Sequence, residues 1–504
     1  MLNKIDKFLN KITMYKLVLY YLMILWGIAF TFSIFGWLHF SPIHMLISLG
    51  ILFVSSWITN KVFAYVFHVP ANVESIYITV FILALVISPA LNTLGYLFLM
   101  WAGILAMASK YIFAIKHKHI FNPAAFSLVV TAFFLNQAAN WWIGTIIMFP
   151  FVLAGGLMIV RKIKRSDLTI SYFLVALVTI LSLSFLRGGN LFITLSKALF
   201  YSPLFFFTFI MITEPLTTPP SRFLRILYGG LVGFLFAPGV HIASLYFSPE
   251  LALIFGNMFS YLISPKKRLT LKLKEAIQVT PDTAEFVFKP DSPIHFRPGQ
   301  YLEWTLACKE NDSRGNRRYF TIASSPTEKD LRIGIKFYPN PSTFKKSLAY
   351  MKNTDTIIAS QLSGDFVLPK NKRKKLVLIA GGIGITPFRS MIKYLIDKKE
   401  TRDIVLFYSN KKESDIVYKD IFDEAKEKIN LKVVYTLTDK EETNWAGHTG
   451  FVDTNMIKEE VSDYLDRTFY VSGPPSMVSG ISKTIKNLGV KNHKIKTDYF
   501  PGFA

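Results

Sequence analysis

The chain of 504 residues carries a formal net charge of +23, 51% hydrophobic residues and a mean hydropathy of +0.34, averages that hide two unlike halves. Up to Pro265 there are 16 Lys and Arg against 5 Asp and Glu, and beyond it 41 against 29; such charge suits membrane-flanking loops and docking on anionic lipid, and argues against nucleic acid as a partner. Cys308 is the single cysteine, which excludes a disulfide framework, a four-cysteine iron–sulfur cluster and a cysteine zinc site within the chain.

In chain order, about ten apolar runs come first, near residues 15–38, 42–59, 74–89, 91–109, 121–136, 141–160, 168–186, 191–213, 226–238 and 243–264. A helix of about 20 residues crosses a ~30 Å hydrocarbon core, so the first half is expected to be a polytopic α-helical membrane domain. With the N-terminus inside, the inner connections carry Lys61, then Lys110, Lys116 and Lys118, then Arg161, Lys162, Lys164 and Arg165, then Arg222 and Arg225. The outer connections carry only Arg187. This charge pattern predicts a multi-pass protein of the cell (inner) membrane with its N-terminus and its C-terminal half in the cytoplasm. The first run begins near Tyr15 and hydrophobic sequence continues long after it, so a cleaved signal peptide is not expected.

The third run ends "LVISP" at Pro89 and the eighth "MITEP" at Pro215; the fifth opens "IFNPAAFSLV" from Ile120 and the tenth holds "IFGNMFSYLI" from Ile254. Partners five spans apart cross in opposite senses, so the pattern predicts an inverted repeat of five plus five spans, with interrupted helices meeting near a midplane site. The alternative is that proline often ends a helix and the apolar match is chance.

"HIFNPAAFSLV", "FFFTFIMITEPLTTP" and "PELALIFGNMFSYLI", in this order, resemble the membrane protein family shared by the sodium-translocating NADH:quinone reductase and the Rnf complex. The resemblance covers most of residues 15–264 and implies ten spans in two inverted repeats and a bound flavin. That family usually attaches FMN to a threonine in a Ser-Gly-Ala-Thr type motif, and this chain has no Ala-Thr pair. A non-covalent second flavin (FMN or riboflavin) or a quinone is then the expected occupant. The candidate cofactor residues of this half are Asn122, Lys197, Glu214, Thr217, Thr218 and Asn257. Lys197, seven residues into the eighth run, either holds an anionic group or snorkels to the interface. Haem is disfavoured, because His39, His44, His68, His117, His119 and His241 lie at span ends or in loops, whereas bis-His ligation needs a histidine well inside each of two spans.

After Arg268 the pattern changes. "LTLKLKEAIQ", "TAEFVFKP", "YLEWTLA" and "LRIGIKFY" read as strands of a small β-barrel. Beyond "PKNKRKK", apolar strands alternate with helical patterns, the mark of a parallel α/β domain. Three motifs carry chemistry. In "RRYFTIASSP", strand alternation puts Arg318 and Phe320 on one face and Thr321 on the other, unless a bulge turns it. "GGIGITP" follows a buried strand, where glycines admit a phosphate to the backbone and a helix N-terminus favours its charge. "SGPPSM" ends another strand, where open α/β sheets bind ligands.

Together, in this order and spacing, the motifs resemble the ferredoxin–NADP reductase superfamily over residues 268–504. The resemblance implies FAD and NADH or NADPH as cofactors; with one cysteine no iron–sulfur cluster is expected, and no metal site is expected. It implies that Arg318 contacts the FAD pyrophosphate, that Tyr319 lies within this segment, that Phe320 stacks on the flavin, and that Thr321 hydrogen-bonds near flavin N5. Ser342, Thr343 and Lys345 fall in the second phosphate-binding segment. Gly381, Gly382, Gly384, Thr386 and Pro387 cradle the nicotinamide dinucleotide, and Gly473, Pro474 and Pro475 line the nicotinamide. Ser472 stands where many members have cysteine. The ending "DYFPGFA" places Tyr499, Phe500 and Phe503 to cover the flavin. Ser409 and Lys411, with Asn410, either meet a 2′-phosphate or belong to a solvated loop; NADH and NADPH both remain open.

The expected organisation is therefore residues 1–265 as a transmembrane redox domain, 266–370 as an FAD-binding β-barrel and 371–504 as an NAD(P)-binding α/β domain. The expected enzyme passes electrons from NAD(P)H through FAD to a quinone or another acceptor. The alternatives are a redox-driven cation pump and an anchored flavin reductase serving a separate partner.

Overall fold

Long apolar runs have one hydrogen-bonded solution in hydrocarbon, the helix, and helices make up most of the first of the two units, Met1–Lys266 and Lys267–Ala504, into which the chain divides. The computed structural model describes residues 12–67, 73–115, 118–264, 269–306, 316–439 and 445–499, together with Ile5 and Leu9.

In the first unit the helices are α1 (Met14–Ile34), α2 (Pro42–Val66), α3 (Val73–Val86), α4 (Thr93–Ile112), α5 (Pro123–Phe134), α6 (Phe149–Ile163), α7 (Ser166–Leu186), α8 (Leu191–Phe200), α9 (Leu204–Met211, closing in a π-turn), α10 (Arg222–Phe236) and α11 (Pro249–Ile263). Among the described residues, α1, α2, α4 and α7 are long and apolar enough to cross a membrane. The pair α8 and α9, bent by 54° at a short break, makes a fifth if counted as one span. Shorter apolar helices occupy Glu74–Val86, Pro123–Phe134 and Pro249–Ile263. Side chains such as Ile24, Val54, Leu94, Val178 and Phe192 are exposed on this unit, a surface compatible with lipid and unfavourable in water.

Several expected runs start or break elsewhere, for local reasons. The run from Trp141 opens with turns, and Trp141 itself has a left-handed φ of 53°. Its backbone N–H donates to Val86 O at 2.9 Å, and Trp142 Nε1 donates to Ala84 O and Ile87 O, so this segment satisfies the orphan carbonyls at the end of α3. The run from Ala243 begins as a hairpin, His241–Ile242 with Leu245–Tyr246, before Ser248 caps a helix with Pro249 in its first turn. The same order occurs earlier: a hairpin of Ala114–Ile115 with Lys118–His119, then Asn122 as cap and Pro123. Pro123 and Pro249 thus each follow a short hairpin and a capping residue. The eighth run breaks at residues 201–203, and Pro215 lies in a turn.

In the second unit, six antiparallel strands come first: β1 (Leu269–Thr280), β2 (Thr283–Pro290), β3 (Tyr301–Thr305), β4 (Arg317–Thr321), β5 (Leu331–Lys336) and β6 (Thr356–Ser363), in the order β4-β3-β6-β1-β2-β5. Their inward residues, among them Trp304, Phe286, Phe288 and Ile333, form a core closed by helix α12 (Thr343–Ala349). A parallel sheet follows: β7 (Leu376–Gly381), β8 (Ile404–Asn410), β9 (Lys432–Leu437), β10 (His448–Thr449), β11 (Thr468–Gly473) and β12 (Ile495–Tyr499), in the order β10-β9-β8-β7-β11-β12. Helices α13 (Thr386–Asp397), α14 (Lys419–Ile429), α15 (Thr454–Glu460) and α16 (Pro475–Asn487) are interleaved with these strands. Every residue of β7 and β8 is buried, as strands covered on both faces must be.

Candidate functional site

In the second unit the glycine turn is positioned by β7. Gly381 ends that strand beside Ser409 of β8, and Ala380 pairs with Ser472 of β11, so the turn and the "SGPP" turn emerge together at the C-terminal edge of the sheet. Gly382 turns left-handed (φ 51°), and a Cβ there would meet nothing within 4 Å. Gly384 is the opposite: a Cβ would stand 2.5 Å from Ser472 O and 2.6 Å from Gly473 Cα. At Gly381 it would stand 2.0 Å from Met477 Sδ. The turn thus packs against the Ser472–Gly473 backbone and leaves an open face at Gly382, an arrangement that fits a phosphate approaching the backbone of a helix start. Thr386 and Pro387 open α13, and Pro475 opens α16 just after Pro474. Ser472 is fully buried and its hydroxyl finds no hydrogen-bond partner among the described residues. Ser409 and Asn410 are buried, and Lys411 is exposed beyond them.

On the barrel, β3 and β4 pair without a bulge from Tyr301–Thr321 to Thr305–Arg317. Alternation therefore holds: Arg318 and Phe320 share one face, with Tyr319 and Thr321 on the other. Arg318 is buried, with its guanidinium 5.4 Å from the centre of the Phe344 ring, and Phe320 lies 5.8 Å from the same ring. Ser342 caps α12 by accepting from Lys345 N, and Lys345 Nζ donates to Lys336 O at 2.7 Å. Arg318, Phe320 and residues 342–345 thus surround Phe344, bringing a guanidinium, an ammonium and a capped helix start to one corner of the barrel. That donor set fits the phosphates of a dinucleotide. Tyr319 is exposed and donates to Glu303 Oε2 at 2.7 Å, away from that corner.

The barrel and sheet meet inside this unit. A Cβ on Gly334 of β5 would lie 2.7 Å from Tyr418 Oη and 3.0 Å from Thr386 Cγ2. Arg389 of α13 donates to Ala323 O at 2.9 Å and to both carboxylate oxygens of Glu328, and Ser390 Oγ donates to Ser324 O at 2.6 Å. Burial alone would lower the Arg389 guanidinium, but the Glu328 carboxylate holds it above its ordinary value. No local sequence signal marks this tie. Phe500 and Phe503 lie outside the described residues.

In the first unit, the structure gathers most of the candidate polar residues. Asn122 N–H donates to Asn257 Oδ1 at 2.7 Å, and Asn122 Nδ2 donates to Glu214 Oε2 at 2.9 Å. Thr217 Oγ1 donates to Glu214 Oε2 at 3.3 Å, and His119 Nε2 lies 3.2 Å from Glu214 Oε1. Asn257 Nδ2 donates to Tyr228 Oη at 3.0 Å. Thr218 accepts from Arg165. Tyr228 and Arg165 are not among the sequence candidates, and His119 enters there only as a disfavoured haem ligand; each lies too far along the chain from its partner for spacing to reveal it. Lys197 is exposed and stands apart from this cluster.

Residues 378–483 match the oxidoreductase NAD-binding domain family. NADH-cytochrome b5 reductase 1 of Mortierella alpina is 30% identical over 233 residues, which are 45% of this chain and 77% of that protein. The flavohemoprotein of Bacillus subtilis (strain 168) is 27% identical over 236 residues, 45% of this chain and 57% of that protein. Among solved structures, the flavohem-like FAD/NAD-binding domain of nitric oxide dioxygenase from Vibrio cholerae O1 biovar El Tor aligns over 46% of this chain and 98% of its own, with a TM-score of 0.42 and 18% identity. With 30% identity across 77% of the Mortierella alpina enzyme, the chain belongs to the NADH-cytochrome b5 reductase family of NAD(P)H-dependent flavin oxidoreductases.

Proposed function

We propose that the protein is a membrane-bound NAD(P)H dehydrogenase whose reductase unit holds FAD and whose helical unit leads electrons to a quinone or to a second, non-covalent flavin. The observation that carries this reading is the buried polar centre where α5 and α11 meet. An anchor needs a single span of about 20 residues and no such centre; a fully buried amide inside an apolar helix, Asn257, joined through the cap residue Asn122 to the part-buried Glu214 carboxylate, is the kind of polar group kept where it serves a site. The pairing of helices supports an inverted repeat and a likeness to the membrane protein family named above. α2 packs on α4 as α7 packs on α10; α4 packs on α5 as α10 packs on α11; and α1 meets α6 while α5 meets α11, as halves related by a twofold axis would. Ten crossings follow if the bent pair, the three shorter apolar helices and also α6 and α10 are each counted as spans, and the loop charges favour an inner N-terminus and an inner reductase unit.

In the reductase unit, FAD when bound supplies hydride acceptance from the nicotinamide and release of electrons one or two at a time. The chain's own residues bind and orient. Arg318 and Lys345, with the start of α12, hold the flavin's phosphates, and Phe320 covers its ring. Thr321 borders the ring's edge. Gly381, Gly382 and Gly384 with Thr386 and Pro387 seat the nicotinamide dinucleotide, and Ser472, Gly473, Pro474 and Pro475 enclose its reactive end. Phe500 and Phe503 are proposed to shield the flavin, and Ser409 and Lys411 to meet the adenosine ribose or its phosphate. Residues 1–265, 266–370 and 371–504 are the corresponding domains.

Quantifying flavin in the purified protein, by absorption and by extraction, tests this reading. More than one flavin per chain, or one flavin with NAD(P)H:quinone reduction, is expected. One flavin with no quinone activity and full turnover by residues 266–504 alone would sink it. A second reading is drawn from the relatives: one is named a reductase of cytochrome b5 and another a flavohemoprotein. A separate haem protein would then be the acceptor, and added cytochrome would outpace quinone.

A further inference from the structure

We propose that Arg389 is a positioning residue for hydride transfer, fixing the barrel segment that follows Thr321 to the helix that begins at Thr386. The inference rests on the placement of FAD and nicotinamide proposed above. One end of the tie lies one helical turn beyond Thr386, in the turn-and-helix start that seats the dinucleotide. The other lies at Ala323, two residues beyond Thr321 at the end of β4. The two binding segments come from different sheets, and no strand pairing joins those sheets among the described residues. Their separation has to be set by side chains.

The geometry of Arg389 suits that task. The residue is 4% exposed, and its planar fork makes one bond to a backbone carbonyl and a bidentate pair with Glu328. Glu328 is itself held on the barrel: its Oε2 accepts from Ser325 N at 2.6 Å, and its Oε1 lies 3.4 Å from Arg332 Nε. Arg332 in turn reaches Glu285 of β2 at 2.6 Å. The tie therefore runs from α13 through a guanidinium and a carboxylate into the barrel wall. Ser390 adds a bond to Ser324 O, and Thr327 one to Asp397, both along the same helix. The close approach of Gly334 to Thr386 leaves no slack between the two parts. A lysine at position 389 would keep the charge but could not grip a carbonyl and a carboxylate in one plane.

The test uses the full-length protein, reduced anaerobically in a stopped-flow instrument by NADH and by NADH deuterated at the transferred position. In Arg389→Met the limiting rate of flavin reduction is expected to fall by about 100-fold, the effect of a misplacement near 1 Å. FAD content and the NADH dissociation constant should stay near wild type. The isotope effect should rise and become temperature-dependent, as expected when the donor–acceptor distance lengthens; a residue that only stabilises the fold would not move it. Arg389→Lys should recover part of the rate. A wild-type limiting rate in FAD-replete Arg389→Met overturns the proposal, and so does a fall in rate that tracks loss of FAD with an unchanged isotope effect. If Arg389→Met loses its FAD on purification, Glu328→Gln, which weakens the same tie from the barrel side, is held to the same rate and isotope criteria. A wild type whose flavin neither NADH nor NADPH reduces overturns the functional reading and this inference with it.

Discussion

Three neighbouring glycines in the "GGIG" turn respond to the same substitution in three different ways, and the contrast tests whether the turn is a ligand cradle. At Gly384 a Cβ would meet backbone on every near side: Ser472 O at 2.5 Å, Gly473 Cα at 2.6 Å and Gly473 N at 2.7 Å. Ordinary contact begins at 3.4 Å, so Gly384→Ala must drive the turn and the Ser472–Gly473 backbone apart by roughly 1 Å, a misplacement able to cost about 100-fold in a positioned reaction. Overpacking of this kind also lowers stability by about 1–3 kcal/mol. At Gly381 the obstacle is Met477 Sδ, in a side chain with three rotatable bonds that can swing aside. Gly382→Ala meets no atom but must hold φ at 51°, at about 1–2 kcal/mol. The assay is NADH:ferricyanide reduction, with FAD content measured in parallel. Gly384→Ala should lose about two orders of magnitude in kcat/KM for NADH while retaining FAD; Gly381→Ala should stay within roughly fivefold, and Gly382→Ala should fall between them. If Gly384→Ala matches wild type while Gly381→Ala collapses, packing against the "SGPP" turn does not set the cradle, and the reasoning fails.

Replacing Arg318 with Met should reduce FAD occupancy by about 10–100-fold in affinity, the worth of a charge-assisted phosphate contact; unaltered flavin absorbance in the purified variant would remove Arg318 from the site. Asn257→Leu leaves the Asn122 N–H and the Tyr228 hydroxyl without their partner, at about 1–3 kcal/mol each. A clear drop in melting temperature in detergent is expected, and no drop would mean that the polar centre relaxes freely. Glu214→Gln should slow electron passage to quinone while hydride transfer to FAD keeps its rate; wild-type rates for both steps would reduce the contacts of Glu214 with His119, Asn122 and Thr217 to a structural tie. The hydrogen bond from Arg467, with Lys375 nearby, holds the Asp463 carboxyl at about 2 against an ordinary 3.8. The folded protein therefore binds that proton only at lower pH than the unfolded chain, so the stabilisation is full above pH 3.8 and disappears as pH falls through about 2. The stability difference between wild type and Asp463→Asn should close over that window in acid titrations; a difference that persists unchanged below it would assign the effect to packing.

Local sequence was most informative where the fold is local. Strand alternation, short apolar runs and glycine turns mark the elements of the reductase unit: β5 shows its buried face in a period of two, β7 and β8 are continuous apolar runs buried throughout, and the turns carry their own glycines. In the helical unit, hydropathy registered apolar sequence but not its geometry. The hairpin of residues 241–246 and the turns after Trp141 fall inside apolar runs, and prolines in the first turn, as at Pro123 and Pro249, stand where helices begin. The tie between Arg389 and Glu328 spans 61 residues and the bond between Asn122 and Asn257 spans 135. Neither has a period or motif; each exists only once the fold brings its ends together. The oddity that could be read beforehand was a polar residue in an apolar run, as at Asn257 and Glu214.

The bond from Asn122 to Asn257 also limits how the helical unit can work. It joins the cap of one proline-started helix, α5, to the middle of another, α11, in a fully buried contact. Any motion that parted α5 from α11 would have to break this bond and leave an amide and a carbonyl stranded in a buried contact, at roughly 2–6 kcal/mol. Electrons need no such movement. A seam riveted at its centre is a poor hinge but a steady support, since electron passage depends on fixed distances between sites.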